Sequence, residues 1–268
     1  MIALTQEQLK KLQQIELEML LEVDRICKKH SIKYTMIAGT MLGAVRHGGF
    51  IPWDDDADIG MLREEYERFR EICKTELNTN YYYFQDYRNT KGYRWGYGKI
   101  RRKDTVFMRD GQEHMPYEQG VFIDIFPMDN IPDKYWVRWI HDKLCFSIRK
   151  ILWSEVGKKT DKKWLNRMVF KGLNRIPEQS IKKALYAFEK KSNAKKTKYV
   201  RMLMFPSPNK VYGYKREWYQ QLAAYNFEGH KLYGIKEADA YLTFTYGDYM
   251  QQPPVKERKV HPVSEIQL

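Results

Sequence analysis

Asp56 and Asp58 stand two residues apart in the segment FIPWDDDADIGM, residues 50–61. Ala57, Ile59 and Met61 alternate with them, which is the period of a β-strand. Both carboxylates then project from one face, with Cα atoms roughly 7 Å apart, while Ala57 and Ile59 face a core. Two carboxylates with charges about 4 Å apart repel by about 4 kcal/mol at an effective dielectric near 20. A hard cation reverses that sign. Mg²⁺, or Mn²⁺ in its place, takes carboxylate oxygens together with substrate phosphates. The competing reading is a solvated acidic turn after Pro52, but such a turn has no use for alternating apolar partners. Asp54 and Asp55 either tune the site or are simply exposed.

A second chemical feature precedes the first. Gly39-Thr40-Met41-Leu42-Gly43 follows an apolar run and opens a helical one. Free N–H groups at a helix start bind phosphate, and the helix dipole adds to this. Gly39 permits close approach of an anion, and Thr40 supplies a hydroxyl. Arg46 and His47, further along, could reach the same anion. Taken alone, the loop reads as a structural turn with a cap. Next to an acidic strand it fits a nucleotide diphosphate. In GVFIDIF, residues 120–126, Asp124 interrupts an apolar strand, and an unpartnered buried carboxylate there would be costly. Lys99 and Arg101 share one face of GYGKIRR and could clamp phosphates or stand as solvated edge cations. His261 follows the basic run Lys256–Lys259, and a single histidine so placed is more often incidental.

These side chains need elements to hold them. Thr5 and Gln8 form a capping box, and apolar residues recur at helical spacing from Leu9 to Ile26, so the first helix ends near His30. Strands are expected at 32–38, 81–84, 93–101 and 120–126, the last ended by Pro127. Helices are expected at 41–46 and 63–77. From about 134 to 215 the chain turns helical, basic and aromatic, punctuated by Pro177 and Pro206-Ser207-Pro208. The class is α+β: a mixed-sheet core with a helical insertion, in one domain spanning 1–268. The formal charge is +13, which favours anionic partners. Cys27, Cys73 and Cys145 are too scattered for a disulfide scaffold or a zinc site and suit a reducing compartment. The amphipathic start is unlike a signal peptide, and no apolar run reaches 18 residues. The expected location is the cytoplasm, with peripheral contact at the inner membrane face.

The stretch AGTMLGAVRHGGFIPWDDDADIGM, residues 38–61, resembles the signature of the LicD family, which includes bacterial phosphocholine transferases and fukutin-type proteins. The resemblance continues at GVFIDIFPMD (120–129), Phe227-Glu228-Gly229, Tyr241 through Met250, Pro253-Pro254 and His261. It implies a nucleotidyltransferase-like fold in which Gly39 and Thr40 hold phosphates. Asp56 and Asp58 would hold Mg²⁺, with Asp124 as third ligand or base. Lys99 would contact substrate, and His261 would close over the donor. It further implies a CDP-alcohol donor, CDP-choline first, and release of CMP. The acceptor would be a hydroxyl of a cell-surface glycan or teichoic-acid precursor, carried on lipid. Rival readings are a nucleotidyl or glycosyl transferase using the same metal strand, and a non-catalytic RNA- or membrane-binding protein. Nucleic acid is the less expected partner. For residues 134–170, where Trp136, Trp139 and Trp153 interleave with Lys143, Arg149 and Lys150, the first reading is a helical subdomain with a charged outer face; a membrane surface is the second.

Overall fold

The computed structural model describes residues 3–206, 210–258 and 260–268. Ser207 and Pro208 of the expected proline break, and Lys259 of the basic run, lie outside the described residues. Helix α1 (Gln6–Lys29) begins with the expected capping box: the Gln8 N–H donates to Thr5 Oγ1 at 3.1 Å, and the Thr5 N–H donates to Gln8 Oε1 at 3.0 Å. Strand β1 (Thr35–Met36) is shorter than expected and leads into α2 (Ala38–Arg46). Strand β2 (Asp58–Leu62) runs directly into α3 (Arg63–Glu76). The strands β3 (Tyr82–Gln85), β4 (Gly98–Arg102), β5 (Val106–Arg109) and β6 (Phe122–Ile131) follow.

Three helices then form the insertion: α4 (Tyr135–Thr160), α5 (Trp164–Leu173) and α6 (Glu178–Ser192). The chain returns through β7 (Tyr199–Arg201), β8 (Tyr214–Lys215), the hairpin β9 (Leu222–Phe227) and β10 (His230–Ile235), helix α7 (Ala238–Tyr246) and β11 (Val263–Gln267). Glu228 and Gly229 both take positive φ between β9 and β10, as a tight right-twisted hairpin turn requires.

Among the described residues the main sheet has nine strands. Its path is β3-β4-β6-β2-β1-β10-β9, with β7 pairing β6 and β8. The β2–β6 and β1–β10 pairs are parallel and the rest antiparallel, so the sheet is mixed, as the α+β reading requires. Strand β6 is buried along all ten residues. It does not stop at Pro127. Strand β4 pairs with residues 122–125 and β7 with 129–131, so Pro127 falls in the gap between them and its missing N–H costs no ladder bond there.

Two apolar clusters result. The larger joins α1, α2, α3 and the sheet, with Ala57, Ile59, Ile123 and Ile125 fully buried within it. The smaller, around Tyr93, Cys145, Leu152 and Leu185, seats the helical insertion on the loop before β4. A buried ionic clasp binds the insertion to the core. Arg63 on α3 forks onto Asp129 of β6 at 2.6 and 2.8 Å and lies 3.3 Å from Glu189 of α6. Burial pushes the Glu189 carboxyl up to about 7, with Asp129 adding to that push and Arg63 opposing it.

Candidate active site

Strand pairing alone brings three of the expected residues together. Asp58 on β2 is the register partner of Asp124 on the parallel strand β6, and Lys99 on β4 pairs with Asp124 from the other side. The three side chains therefore stand in a row across adjacent strands, on one face. The Asp124 N–H donates to the Ala57 carbonyl at 2.9 Å, which fixes the chain just before β2 against β6. Lys99 Nζ donates to Asp124 Oδ1 and sits over the Phe122 ring. Burial pushes the Lys99 ammonium down to about 7, against the pull of Asp124.

Asp56 lies just outside β2 rather than within it. It stands in a crowded acidic segment with Asp54, Asp55 and Asp58. Burial, then Asp56 and Asp55, push the Asp54 carboxyl up to about 8. Asp58 is raised well above the usual carboxylate range by burial first, then by Asp56 and Asp124. Asp56 is raised by burial, with His261 opposing. Beneath them lies Glu16 of α1, buried, with Oε2 lacking any hydrogen-bond partner, its carboxyl raised by burial and by all four aspartates. Glu16 was missed by sequence reasoning. Its signal was present: with Leu12 and Leu20 it forms an i, i+4 row on the apolar face of α1. Asp55 is buried rather than exposed.

The chain's late segment reaches this cluster. The His261 N–H donates to Asp55 Oδ2 at 2.8 Å, and its ring nitrogens lie 3.1 Å from Asp55 Oδ1 and 3.6 Å from Asp56 Oδ2. Arg258 stacks on Trp53 with its guanidinium carbon 3.9 Å from the ring centre. The strap is pinned because β11 pairs antiparallel with β5, and Asp110 N–H donates to the Pro262 carbonyl at 2.8 Å.

Gly39 and Thr40 lie in the first turn of α2, whose cap residue Ile37 has no side-chain acceptor to offer. Thr40 is buried, and its Oγ1 accepts the Asp58 N–H at 2.7 Å, tying the helix start to the acidic strand. Gly39 faces Asp54: a Cβ there would meet Asp54 Oδ2 at 2.6 Å. Arg46 is not brought to this loop. It sits at the opposite end of α2, roughly 9 Å along the axis from Thr40, and donates to the Tyr249 carbonyl at 2.6 Å. Arg101 donates to Gln85 Oε1 and the Gly120 carbonyl, both at 2.7 Å.

The donor chemistry fits a hard divalent cation. Asp58 and Asp124 are register partners with Asp56 two residues before Asp58, and burial first, then the neighbouring aspartates, raise Asp56 and Asp58. Asp55, Asp56 and His261 also offer ligand atoms within 4.8 Å of one another.

Residues 31–153 match the family model described as LicD/FKTN/FKRP, nucleotidyltransferase domain. The chain is similar to the lipopolysaccharide cholinephosphotransferase LicD of Haemophilus influenzae, with 28% identity over 250 residues covering 91% of each chain. Over 48 residues it is 35% identical to the human ribitol 5-phosphate transferase FKRP, covering 18% of this chain and 10% of that protein. An uncharacterized protein of Rickettsia typhi is 44% identical over 55 residues, 20% of this chain and 18% of its own.

Proposed function

We propose that the chain is a member of the LicD/FKTN/FKRP family, whose model residues 31–153 match, and that it is a phosphotransferase moving a phospho-alcohol group from a CDP-alcohol to a glycan hydroxyl. The donor is CDP-choline in the first instance, and the acceptor is a cell-surface glycan or teichoic-acid precursor. The observation that carries this reading is the in-register pair Asp58–Asp124 beside Asp56, roofed by the start of α2.

In this reading the first-turn N–H groups of α2, at Gly39 and Thr40, receive the donor diphosphate. The acceptor hydroxyl attacks the distal phosphorus, the bond to the CMP oxygen breaks, and CMP leaves. Asp124 takes the hydroxyl proton at Oδ2, because Lys99 occupies Oδ1. Lys99 in turn orients that carboxylate and offsets its charge. Asp56 and Asp58, with Asp124, would hold Mg²⁺ or Mn²⁺, which offsets charge developing on the phosphoryl oxygens. His261 keeps Asp55 and Asp56 positioned from the strap.

No helix among the described residues is long and apolar enough to cross a membrane. The exposed Trp136 and Trp139 of α4 and Trp164, Leu165, Met168 and Val169 of α5 support peripheral contact with an anionic inner leaflet, where a lipid-linked acceptor would be met. Cytoplasmic location is part of the same proposal.

The test is chromatography of the products from CDP-choline and other CDP-alcohols, with a glycan acceptor, in Mg²⁺ and in EDTA. CMP release that needs both acceptor and metal is expected. Incorporation of CMP into the acceptor would instead mark a nucleotidyl transferase, and no CDP-alcohol turnover at all would overturn the reading.

A further inference from the structure

A cavity of about 290 Å³ opens beside Lys99. It is bounded by β4, β5 and α4 and is walled by two kinds of side chain. The cations are Lys99, Arg101, Arg109, Arg149 and Lys150. The rings include Trp95, Phe122 and Trp153, with Trp95 and Trp153 tilted against each other at 5.5 Å. No carboxylate is among its described lining residues. Residues 39, 40, 56 and 58 are not among them either.

The sequence placed Arg149, Lys150 and Trp153 on an outer surface. In the structure all three line this cavity, Arg149 and Lys150 half-buried and Trp153 at its exposed rim, because α4 packs that face on the loop before β4. Lys99 is balanced by Asp124 from outside the lining, whereas the other four cations have no described lining carboxylate beside them. Arg101 is buried, and its two described hydrogen bonds go to neutral oxygens of Gln85 and Gly120. Burial pushes the Arg149 guanidinium down, Arg201 pushes it the same way, and Asp142 opposes them. Lys99 is paired with Asp124, but the four remaining cations gathered without a described lining carboxylate are costly until an anion enters. Aromatic rings alone would also suit a quaternary ammonium, but these cations oppose one. A sugar ring satisfies the aromatic walls, and an anionic substituent satisfies the cations.

We propose that this cavity is the acceptor pocket and that the acceptor is an anionic sugar, recognised by its phosphate or carboxylate. Rings hold the sugar face, Arg109 and Arg149 hold the anion, and a hydroxyl of the sugar is presented to Asp124 past Lys99. The inference rests on the transferase reading for which end of the site reacts. The donor would keep the other side, at the start of α2. Arg109 and Arg149 thereby set acceptor specificity.

The experiment is titration calorimetry on the full chain without donor, using a panel of hexose phosphates and uronic acids against their neutral parent sugars and inorganic phosphate. At least one charged sugar is expected to bind about tenfold or more tightly than both its neutral parent and inorganic phosphate, weakening as salt rises. Arg109→Gln and Arg149→Gln should each weaken it about tenfold while melting like the parent protein. Added CDP-choline should leave that binding in place. Equal affinity for charged and neutral sugars, indifference to both substitutions, or displacement by CDP-choline would overturn the proposal, the last by giving the cavity to the donor. Should either variant fail to fold, the preference of the parent protein for charged sugars and its salt dependence still decide. Absence of CMP-forming turnover would strike the transferase reading and leave this donor-free measurement unaffected.

Discussion

Asp58→Asn keeps the side chain's shape and, at a pH alkaline enough for the raised Asp58 carboxyl to ionise in the metal-free protein, removes one negative charge from the row Asp58–Asp124–Lys99; the melts are compared at such a pH. Neighbouring strands lie about 4.8 Å apart, so at an effective dielectric near 20 the repulsion from Asp124 is about 3 kcal/mol. Asp56, roughly 7 Å away, adds about 2 kcal/mol. Lys99, held on Asp124, returns about 3 kcal/mol of attraction. The net effect is a gain of about 2 kcal/mol for the metal-free variant, which for a domain of this size is a melting temperature about 5 °C higher. The same change deletes a ligand. Parent protein should gain about 2.7 kcal/mol at a Mg²⁺ concentration 100 times its Kd, and the variant almost none. The assay is a thermal melt of each protein in EDTA and in Mg²⁺, followed by CMP release. Turnover should vanish in the variant that melts higher. A variant that melts lower in EDTA yet still responds to Mg²⁺ and turns over would refute both the repulsion and the metal site.

Metal-free stability should fall as pH rises. Asp54, with a folded pKa of about 8, and Asp58, raised well above the usual carboxylate range by burial and its neighbours, bind protons more tightly folded than unfolded. Their contribution is fully present below the unfolded value near 4 and is lost as pH passes about 8; melts in EDTA between about pH 6 and pH 9 check this, and Mg²⁺ should flatten the slope. Gly39→Val should lower CDP-choline affinity at least about tenfold, because a branched side chain there displaces Asp54 and fills the approach to the first turn of α2; calorimetry on the folded variant showing unchanged affinity would remove the phosphate role. Trp136→Ser combined with Lys143→Glu should abolish salt-sensitive pelleting with anionic vesicles, at about 1 kcal/mol for the lost cation; equal pelleting of parent and variant would leave α4 an ordinary outer helix.

What was legible in the sequence was whatever a short periodic pattern encodes. The two-residue spacing around Asp58, and the lone acid at Asp124 in an apolar run, marked side chains that strand pairing then set side by side. Their exact bounds were less legible. Strand pairing admits only Thr35–Met36 of the expected 32–38 strand and starts β2 at Asp58. Pro127 reads as a stop because its missing N–H usually breaks a ladder, and only the changeover from β4 to β7 makes it harmless. His261 carried no local signal, since its partners Asp55 and Asp56 are fixed by β11 pairing with β5. Arg46 misled because nearness in sequence was taken for nearness in space, whereas a nine-residue helix separates its two ends. Arg149 and Lys150 share α4 with exposed aromatics, and which face turned inward depended on the small second core.

The strap through His261 has a consequence for how the site comes into being. The contact from His261 to Asp55 closes a span of 206 residues, while the pairing of Asp58 with Asp124 needs about a third of that. Contacts between distant parts of a chain form late, because closing the loop costs entropy before any contact rewards it. As the chain is synthesised, the acidic row can assemble long before its cover arrives. Docking of the strap is therefore separable from pairing of the acidic row, and a chain nicked within 255–262 would keep the pairing of Asp58 with Asp124 while losing the contact that holds Asp55.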